Sequence, residues 1–343
     1  MTQLLEIENL SVRFRTTSPL RALMERNPDP FIDAVCDVSF SLQEGETYAL
    51  VGESGSGKTT LARAIIGLNP ASSGSIRFEG EEITGWNDRQ MAPVRRRMSM
   101  MFQDPVGSLS PRQTVRNLIT EPYRIHDVPL KNVDAEAHRL LELVGLAPEF
   151  ADRYPHQLSG GQARRVGVAR ALALNPRLIL ADEPTAGLDV SVQGEILNVL
   201  ARLQRELNLT ILIITHNLNV VRHISDRMAI MYLGRFVETG PTQRIFDRPR
   251  HPYTEALLSA NPTPDPESRS ARIVLSGEIP SLMNRPSGCE FHPRCPYARD
   301  LCAAQTPELA AEKVASGVRR YSCHFPLEEA RPGSQAEELA DPS

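Results

Sequence analysis

Nine residues, GESGSGKTT from Gly52 to Thr60, constrain the fold of this chain more than any other stretch. They match G-x-x-x-x-G-K-[ST], with a strand-like run Thr47–Val51 before them and a helical pattern over Leu61–Leu68 after them. That strand–turn–helix context is what the pattern requires to act as a phosphate cradle. Gly52, Gly55 and Gly57 admit positive φ and close backbone approach, so successive N–H groups can point inward at phosphate oxygens. The expected phosphate-binding set is Gly52, Ser54, Gly55, Ser56, Gly57, Lys58, Thr59 and Thr60. Lys58 is expected to reach the β- and γ-phosphates, and the Thr59 hydroxyl to coordinate Mg²⁺. A glycine turn with a purely structural purpose would not need the Lys-Thr pair and the helix together.

A second stretch, Tyr154 to Asp189, carries the complementary chemistry: YPHQLSGGQARRVGVARALALNPRLILADEPTAGLD. LSGGQ (Leu158–Gln162) is a small-residue turn entering a helix predicted over Gln162–Leu174. The apolar run Leu178–Ala181 reads as a strand capped by adjacent carboxylates, Asp182 and Glu183. An acidic pair at a strand end suits a nucleotide–Mg²⁺ site. Beyond it come a predicted helix, Ser191–Leu207, and a β-prone run, Leu209–Thr215, with His216 at its end.

The remaining patterns fill in a sheet. Leu4–Phe14 alternates polar and apolar residues, and Phe31–Leu42 is a second β-rich stretch; the intervening Arg15–Pro30, with three prolines, reads as a loop. Gly74–Phe78 is a short strand, Asn87–Arg97 a polar helix, and Met98–Phe102 a strand leading to Gln103. From Thr114 to Tyr154 the period turns helical, predicting a helical subdomain at about 112–160. Arg227–Tyr232 and Arg235–Thr239 close the domain near Arg250. Strands alternating with helices predict an α/β fold with a mostly parallel sheet, and the β-rich first fifty residues an antiparallel flank.

Charge and composition narrow the function classes. A net charge of −4 over 343 residues gives no electrostatic footprint for nucleic acid. The run Arg95–Arg97 reads as a solvated helix face. The opening MTQLLEIENL has neither a basic n-region nor a long apolar core, and the longest apolar runs are strand-length. The expectation is a soluble, cytoplasmic protein whose membrane connection comes through a partner. Past position 248 the character changes, with 13 of the 27 prolines falling there. The sequence predicts one domain over 1–250, a loop-rich module over 251–330 and a disordered tail over 331–343. Cys36 reads as an inert buried thiol. Cys289, Cys295, Cys302 and Cys323 have spacing C-x₅-C-x₆-C-x₂₀-C, which matches neither the close zinc pairs nor the ferredoxin patterns. An unliganded thiol cluster and a metal site both remain open on spacing alone.

Taken in order, GESGSGKTT, Gln103, LSGGQ, LILADE, AGLD and His216 resemble the ATP-binding cassette (ABC) ATPases over residues 4 to 250. The resemblance implies a head-to-tail dimer, with ATP held between the phosphate loop of one subunit and the LSGGQ turn of the other. It implies roles residue by residue. Phe14 aligns with the aromatic that stacks on adenine, although a core phenylalanine reads equally well. Gln103 would touch Mg²⁺ and the attacking water near the membrane partner's docking side. Asp182 would hold Mg²⁺ through water, Glu183 would be the general base, and His216 would contact the γ-phosphate. Ser159, Gly160, Gly161 and Gln162 would serve the ATP of the partner chain, and Asp189 would link the two sites. Two departures stand out: AGLD replaces the commoner SALD, and Asn217 follows His216 where Asp is usual.

FQDPVGSLSPR, HISDRMAIMYLG and HPYTEALLSANP are similar to the ATP-binding subunits of oligopeptide/dipeptide ABC importers, and closer to the second of their two paired ATPases. This implies a heterodimer rather than a homodimer, two transmembrane permease subunits, an indirect extracytoplasmic solute-binding protein, and a place on the cytoplasmic face of the inner membrane. Relatives of this kind also import nickel, glutathione and other small solutes, so the cargo stays open. Members with the cysteine extension can hold a [4Fe–4S] cluster, although four soft thiolates suit Zn²⁺ as well. The competing classes are a soluble ABC ATPase acting on nucleic acid and an ATPase of iron–sulfur assembly. The short interval between phosphate loop and signature, and the C-terminal extension, weigh against both.

Overall fold

The computed structural model describes residues 3–16, 31–103, 107–261, 273–275 and 277–327. The predicted Arg15–Pro30 loop from residue 17 on, Asp104 and Pro105, and the predicted disordered tail lie outside the described residues. The chain divides into two compact units: Met1–Phe236 with Pro280–Arg285, and Val237–Ile279 with Pro286–Ser343.

The first unit is built on two sheets. Strands β1 (Gln3–Arg15) and β2 (Phe31–Gln43) form a long antiparallel pair, and β4 (Ser73–Phe78) and β5 (Glu81–Glu82) extend it in the order β2-β1-β4-β5. This is the antiparallel flank that the β-rich N-terminal sequence predicts. The second sheet is parallel, in the order β9-β3-β8-β7-β6: β9 is Arg227–Tyr232, β3 Thr47–Val51, β8 Thr210–Thr215, β7 Leu178–Asp182 and β6 Met98–Met101. Every residue of β3, β7 and β8 is buried, because helices cover both faces of a parallel sheet. Leu50, Leu180, Leu212 and Ile214 on those strands join Leu5, Ile7, Leu42 and Phe78 of the antiparallel sheet and Leu61 and Ile65 of helix α1 (Lys58–Ile65) in one core. Each such side chain contributes roughly 1.5–3 kcal/mol on burial.

Helix ends follow local chemistry. Helix α2 (Asp88–Arg97) starts with a capping box, the Asn87 side chain accepting from Gln90 N at 3.0 Å while Gln90 Oε1 accepts from Asn87 N. The helical subdomain contains α3 (Val115–Ile125) and α4 (Val133–Leu143), then two 3₁₀ turns leading into α5 (Gly160–Leu172). Its apolar stripe of Val115, Leu118, Ile119, Leu140 and Leu141 is internal core, fully or nearly buried. Helix α6 (Val190–Leu207) ends where Asn208 takes the left-handed conformation, and α7 (Leu218–Ile224) follows β8.

The second unit takes up the chain within β10 (Arg235–Pro241), adds α8 (Thr242–Asp247) and α9 (Pro252–Ser259), and ends with α10 (Asp300–Ala304) and a hairpin of β11 (Ala310–Val314) and β12 (Gly317–Tyr321). β12 pairs antiparallel with β10. The buried pair Arg319–Glu238 lies at its centre, Nε donating to Oε1 at 2.9 Å, and the same carboxylate accepts from the backbone N–H of Arg250 and His251. Such a pair tolerates loss of neither partner. Burial lowers the His251 pKa to about 3, so its imidazole is neutral. No helix among the described residues is long and apolar enough to cross a membrane.

Candidate active site

Four of the parallel strands end at one cavity of about 570 Å³. The loop after β3 supplies Glu53, Ser54, Gly55, Gly57, Lys58, Thr59 and Thr60; the ends of β7, β8 and β6 supply Asp182 and Glu183, His216, and Gln103. Parallel strands present their C-terminal ends on one edge, which is why residues so distant in sequence meet here.

Gly57 shows why the loop is glycine-rich. Its φ is +103°, and a Cβ there would sit 2.3 Å from Ala34 O. Helix α1 begins at Lys58, three residues before the predicted start, because the left-handed Gly57 is itself the N-cap. Lys58 is buried, its Nζ donating to Gly52 O and Glu53 O at 2.8 Å and to Ser56 Oγ at 3.2 Å. Burial draws its pKa below the usual lysine value, with Glu183, Asp182 and Glu53 opposing.

Thr59 Oγ1 donates to Asp182 Oδ2 at 2.8 Å, while the buried Asp182 Oδ1 makes no hydrogen bond among the described residues. Burial raises the Asp182 pKa, the Thr59 hydrogen bond opposing. A hydroxyl beside a buried carboxylate oxygen with no donor, with Gln103 on the same cavity, fits a Mg²⁺ ion. Glu183 is also buried and sits at φ +50°, an uncommon conformation for a residue with a Cβ. Its backbone N–H donates to Ile214 O at 2.8 Å. Its Oε1 accepts from His216 N at 3.2 Å and lies 2.7 Å from His216 Nδ1, and Oε2 accepts from Thr215 Oγ1 at 3.4 Å. The carboxylate is aimed from three directions.

Ser159, Gly160, Gly161 and Gln162 do not line this cavity. Ser159 and Gly160 are exposed at the start of α5, where Ser159 Oγ accepts from Gln162 N at 3.3 Å and Gln162 Oε1 accepts from Ser159 N at 3.0 Å. This capping box starts α5 at Gly160, two residues before the predicted position. Asp189, exposed, caps α6 through Val192 N at 2.9 Å and Ser191 Oγ at 2.7 Å; the Val192 hydrogen bond lowers its pKa. Asn217 caps α7, accepting from Asn219 N at 3.0 Å, and its Nδ2 donates to Gln193 Oε1 at 3.3 Å. An aspartate would keep the cap and lose that donor. Phe14 stands opposite Ile32 near the end of β1, 39% exposed and outside the cavity lining.

Two residues were not legible as site components. Arg164, buried on α5, donates to Glu183 O at 3.3 Å, Pro184 O at 2.8 Å and Ala186 O, clamping the turn behind the carboxylates. Nothing in the run Ala163-Arg164-Arg165 sets it apart from its neighbour Arg165. Leu282 lines the cavity from a segment almost a hundred residues beyond β7, and no local pattern signals it.

In the second unit Cys289, Cys295, Cys302 and Cys323 line one small pocket with His251, Phe291 and Tyr297. All four are free thiols, and burial pushes Cys289 and Cys323 up to about 11. Among the described residues no group of three or more His, Cys, Asp and Glu is placed to hold a metal ion.

Residues 35–186 match the ABC transporter family, and residues 237–302 match the oligopeptide/dipeptide transporter C-terminal region. A probable peptide ABC transporter ATP-binding protein of Sinorhizobium fredii is 48% identical over 322 residues, 94% of this chain and 89% of that protein. The oligopeptide transport ATP-binding protein AppF of Bacillus subtilis is 46% identical over 90% of this chain and 94% of its own length. Among solved structures, the post-hydrolysis dimer of the ATP-binding cassette MJ0796 bound to ADP and Pi superposes with a TM-score of 0.61 at 28% identity, covering 70% of this chain and 99% of that one. The cbiO1 component of the cbiONQ ABC transporter complex from Clostridium perfringens gives 0.62 at 27%, covering 72% and 92%. These likenesses support a transport ATPase over a soluble ABC protein of nucleic acid or of iron–sulfur assembly. A phosphate loop, an aimed carboxylate pair and a signature helix on this α/β frame agree with them: the chain belongs to the ABC transporter family, as one of its ATP-binding subunits.

Proposed function

We propose that this chain is the ATP-hydrolysing subunit that powers peptide import through a membrane ABC transporter, at the cytoplasmic face of the inner membrane. The observation that carries the reading is the convergence of Lys58, Thr59, Asp182, Glu183 and His216 on one cavity, with the exposed Ser159 and Gly160 outside it. A site furnished in this way is completed by the signature turn of a second ATPase subunit, and the paired-ATPase resemblance favours a heterodimer. Asp189, exposed at the cap of α6, would carry communication between the two sites.

In the proposed reaction Glu183 takes a proton from the attacking water as oxygen bonds to the γ-phosphorus and the bond to the ADP oxygen breaks. His216, held by Glu183, faces the γ-phosphate, and Lys58 balances the phosphate charge. Phe14 would meet adenine. Thr59, Asp182 and Gln103 would hold Mg²⁺, which supplies charge neutralisation when bound. Gln103 stands beside a groove of about 300 Å³ lined by Met100, Phe102, Ile125, Arg170 and Leu174, the side proposed to meet the two permeases. An extracytoplasmic binding protein and the permeases would select the cargo. Peptide is favoured because both relatives named above carry peptide or oligopeptide transport in their names; nickel or glutathione import would use the same machinery. Nucleic acid is not expected as a partner of a chain with net charge −4.

The domain reading of 1–250, with its helical subdomain at about 112–160, and 251–330 is retained as a proposal alongside the two structural units. For the four-thiol pocket we propose a [4Fe–4S] cluster held by Cys289, Cys295, Cys302 and Cys323. Its support is the donor set, four soft sulfurs on one pocket. Iron and sulfide analysis of anaerobically purified protein tests it; iron-free protein sinks it. The transport reading is tested by co-purifying the chain with its permeases and measuring ATPase with and without peptide-loaded binding protein. Stimulation by peptide supports it, and stimulation by nickel or glutathione alone replaces the cargo.

A further inference from the structure

The cavity has two chemically different ends. Asp182, Glu183, His216 and Gln103 come from the β8-β7-β6 side and form the end for charge transfer. On the opposite, β9 side its wall is apolar, made by Ala34 of β2 and Leu282. Ala34 is tied to this side by its carbonyl, which packs against Gly57 and Gly234, the latter following β9 and donating its N–H to Ser56 O at 2.9 Å.

Leu282 arrives there on a short strap that belongs to the first unit although the chain has already left it. The strap is shaped by its own turn: Asn284 N donates to Ser281 O at 3.0 Å, and Met283 N to Ser281 Oγ at 3.2 Å. It is pinned by Arg285, whose Nη2 donates to Asp33 O, next to Ala34. Asp33 is in turn clamped by Arg13, Nη2 donating to Oδ2 at 3.1 Å. Thus the anchor for Leu282 and the other apolar wall residue are neighbours on β2.

Building on the ATPase reading, we propose that Leu282 is the apolar wall for the base and ribose end of the nucleotide, and that Arg285 positions it. A phosphate cradle alone discriminates little between phosphates with and without a nucleoside. An aliphatic side chain on the same cavity wall as Ala34 supplies the surface on which a flat, weakly polar base is desolvated. The nucleotide site therefore includes sequence from beyond the second unit's first helices.

Isothermal titration of the full chain with Mg·ATP and Mg·ADP tests this. Leu282→Ala is expected to weaken both nucleotides by the same factor, about 3- to 10-fold, since both share base and ribose. Leu282→Met, which keeps apolar volume, is expected to stay within about two-fold of wild type. Arg285→Ala is expected to raise KM for ATP more than it lowers kcat, with Arg285→Lys recovering part of the loss. Unchanged ATP affinity in Leu282→Ala overturns the proposal. So does weakening of ATP without ADP, which would put Leu282 at the γ-phosphate, or an equal loss in Leu282→Met. Wild-type protein that binds neither nucleotide would overturn the ATPase reading itself, a different failure from wild-type binding that Leu282→Ala leaves intact.

Discussion

Arg164→Ala isolates how the catalytic turn is held. The residue is 7% exposed, and its guanidinium donates to three carbonyls, those of Glu183, Pro184 and Ala186. Truncation removes a charged donor and leaves these acceptors to find water in a space the alanine does not fill. Each buried carbonyl without its donor costs roughly 1–3 kcal/mol, reduced where water enters the vacated volume. The expected net loss is about 2–4 kcal/mol, or a fall of about 5–10 °C in Tm. The same turn carries the Glu183 backbone, so its carboxylate should lose alignment and kcat should fall roughly 10- to 100-fold. Thermal melts followed by circular dichroism, with steady-state ATPase on the same samples below Tm, measure both. Arg164→Lys keeps the charge but not the fork and should fall between. A variant that melts within about 1 °C of wild type and turns over normally would refute the clamp.

Other outcomes follow from the same geometry. Glu183→Gln should retain ATP binding and lower kcat by roughly 10²- to 10⁴-fold, trapping a nucleotide-bound dimer on gel filtration; undiminished turnover would remove Glu183 as the base. Asp182→Asn should abolish Mg²⁺-dependent turnover yet raise stability by roughly 0.5–2 kcal/mol at neutral pH. The sign comes from burial: a carboxyl whose folded pKa is raised contributes stability that is full below its unfolded pKa and lost as pH rises through the folded one. Melts across that window should therefore decline more in wild type than in the amide variant. Gly57→Ala should cost at least about 1–3 kcal/mol, from the left-handed backbone and the collision with Ala34 O, and should lose nucleotide binding; a neutral effect in a melt contradicts the loop geometry.

Much of this was legible because it rests on short-range chemistry. Gly52–Thr60 links its strand to its helix as the pattern requires, and the continuous apolar runs within β7 and β8, Leu178–Ala181 and Ile211–Ile214, declare strands buried on both faces. Even the S-x-x-Q start of α5 is a readable capping box, so its boundary shift is a matter of where the cap is counted. What was not legible depends on tertiary approach. Arg164 cannot be told from Arg165 beside it until the turn beyond β7 folds over it. Leu282 reaches the cavity only because Arg285 finds a backbone carbonyl some 250 positions earlier, and a sequence window does not span that distance. Phe14 lies at the end of β1, outside the cavity lining, so its proposed contact with a base rests on the resemblance.

The left-handed backbone of Glu183 has an implication for directed evolution. Asparagine or glycine would occupy φ +50° with less strain than glutamate, and the preceding buried Asp182 would favour an uncharged replacement. Both preferences point away from chemistry. A library of this protein screened for heat resistance alone should admit substitutions at 182 and 183, yielding sturdier molecules that no longer turn over, so any such screen must carry an activity gate.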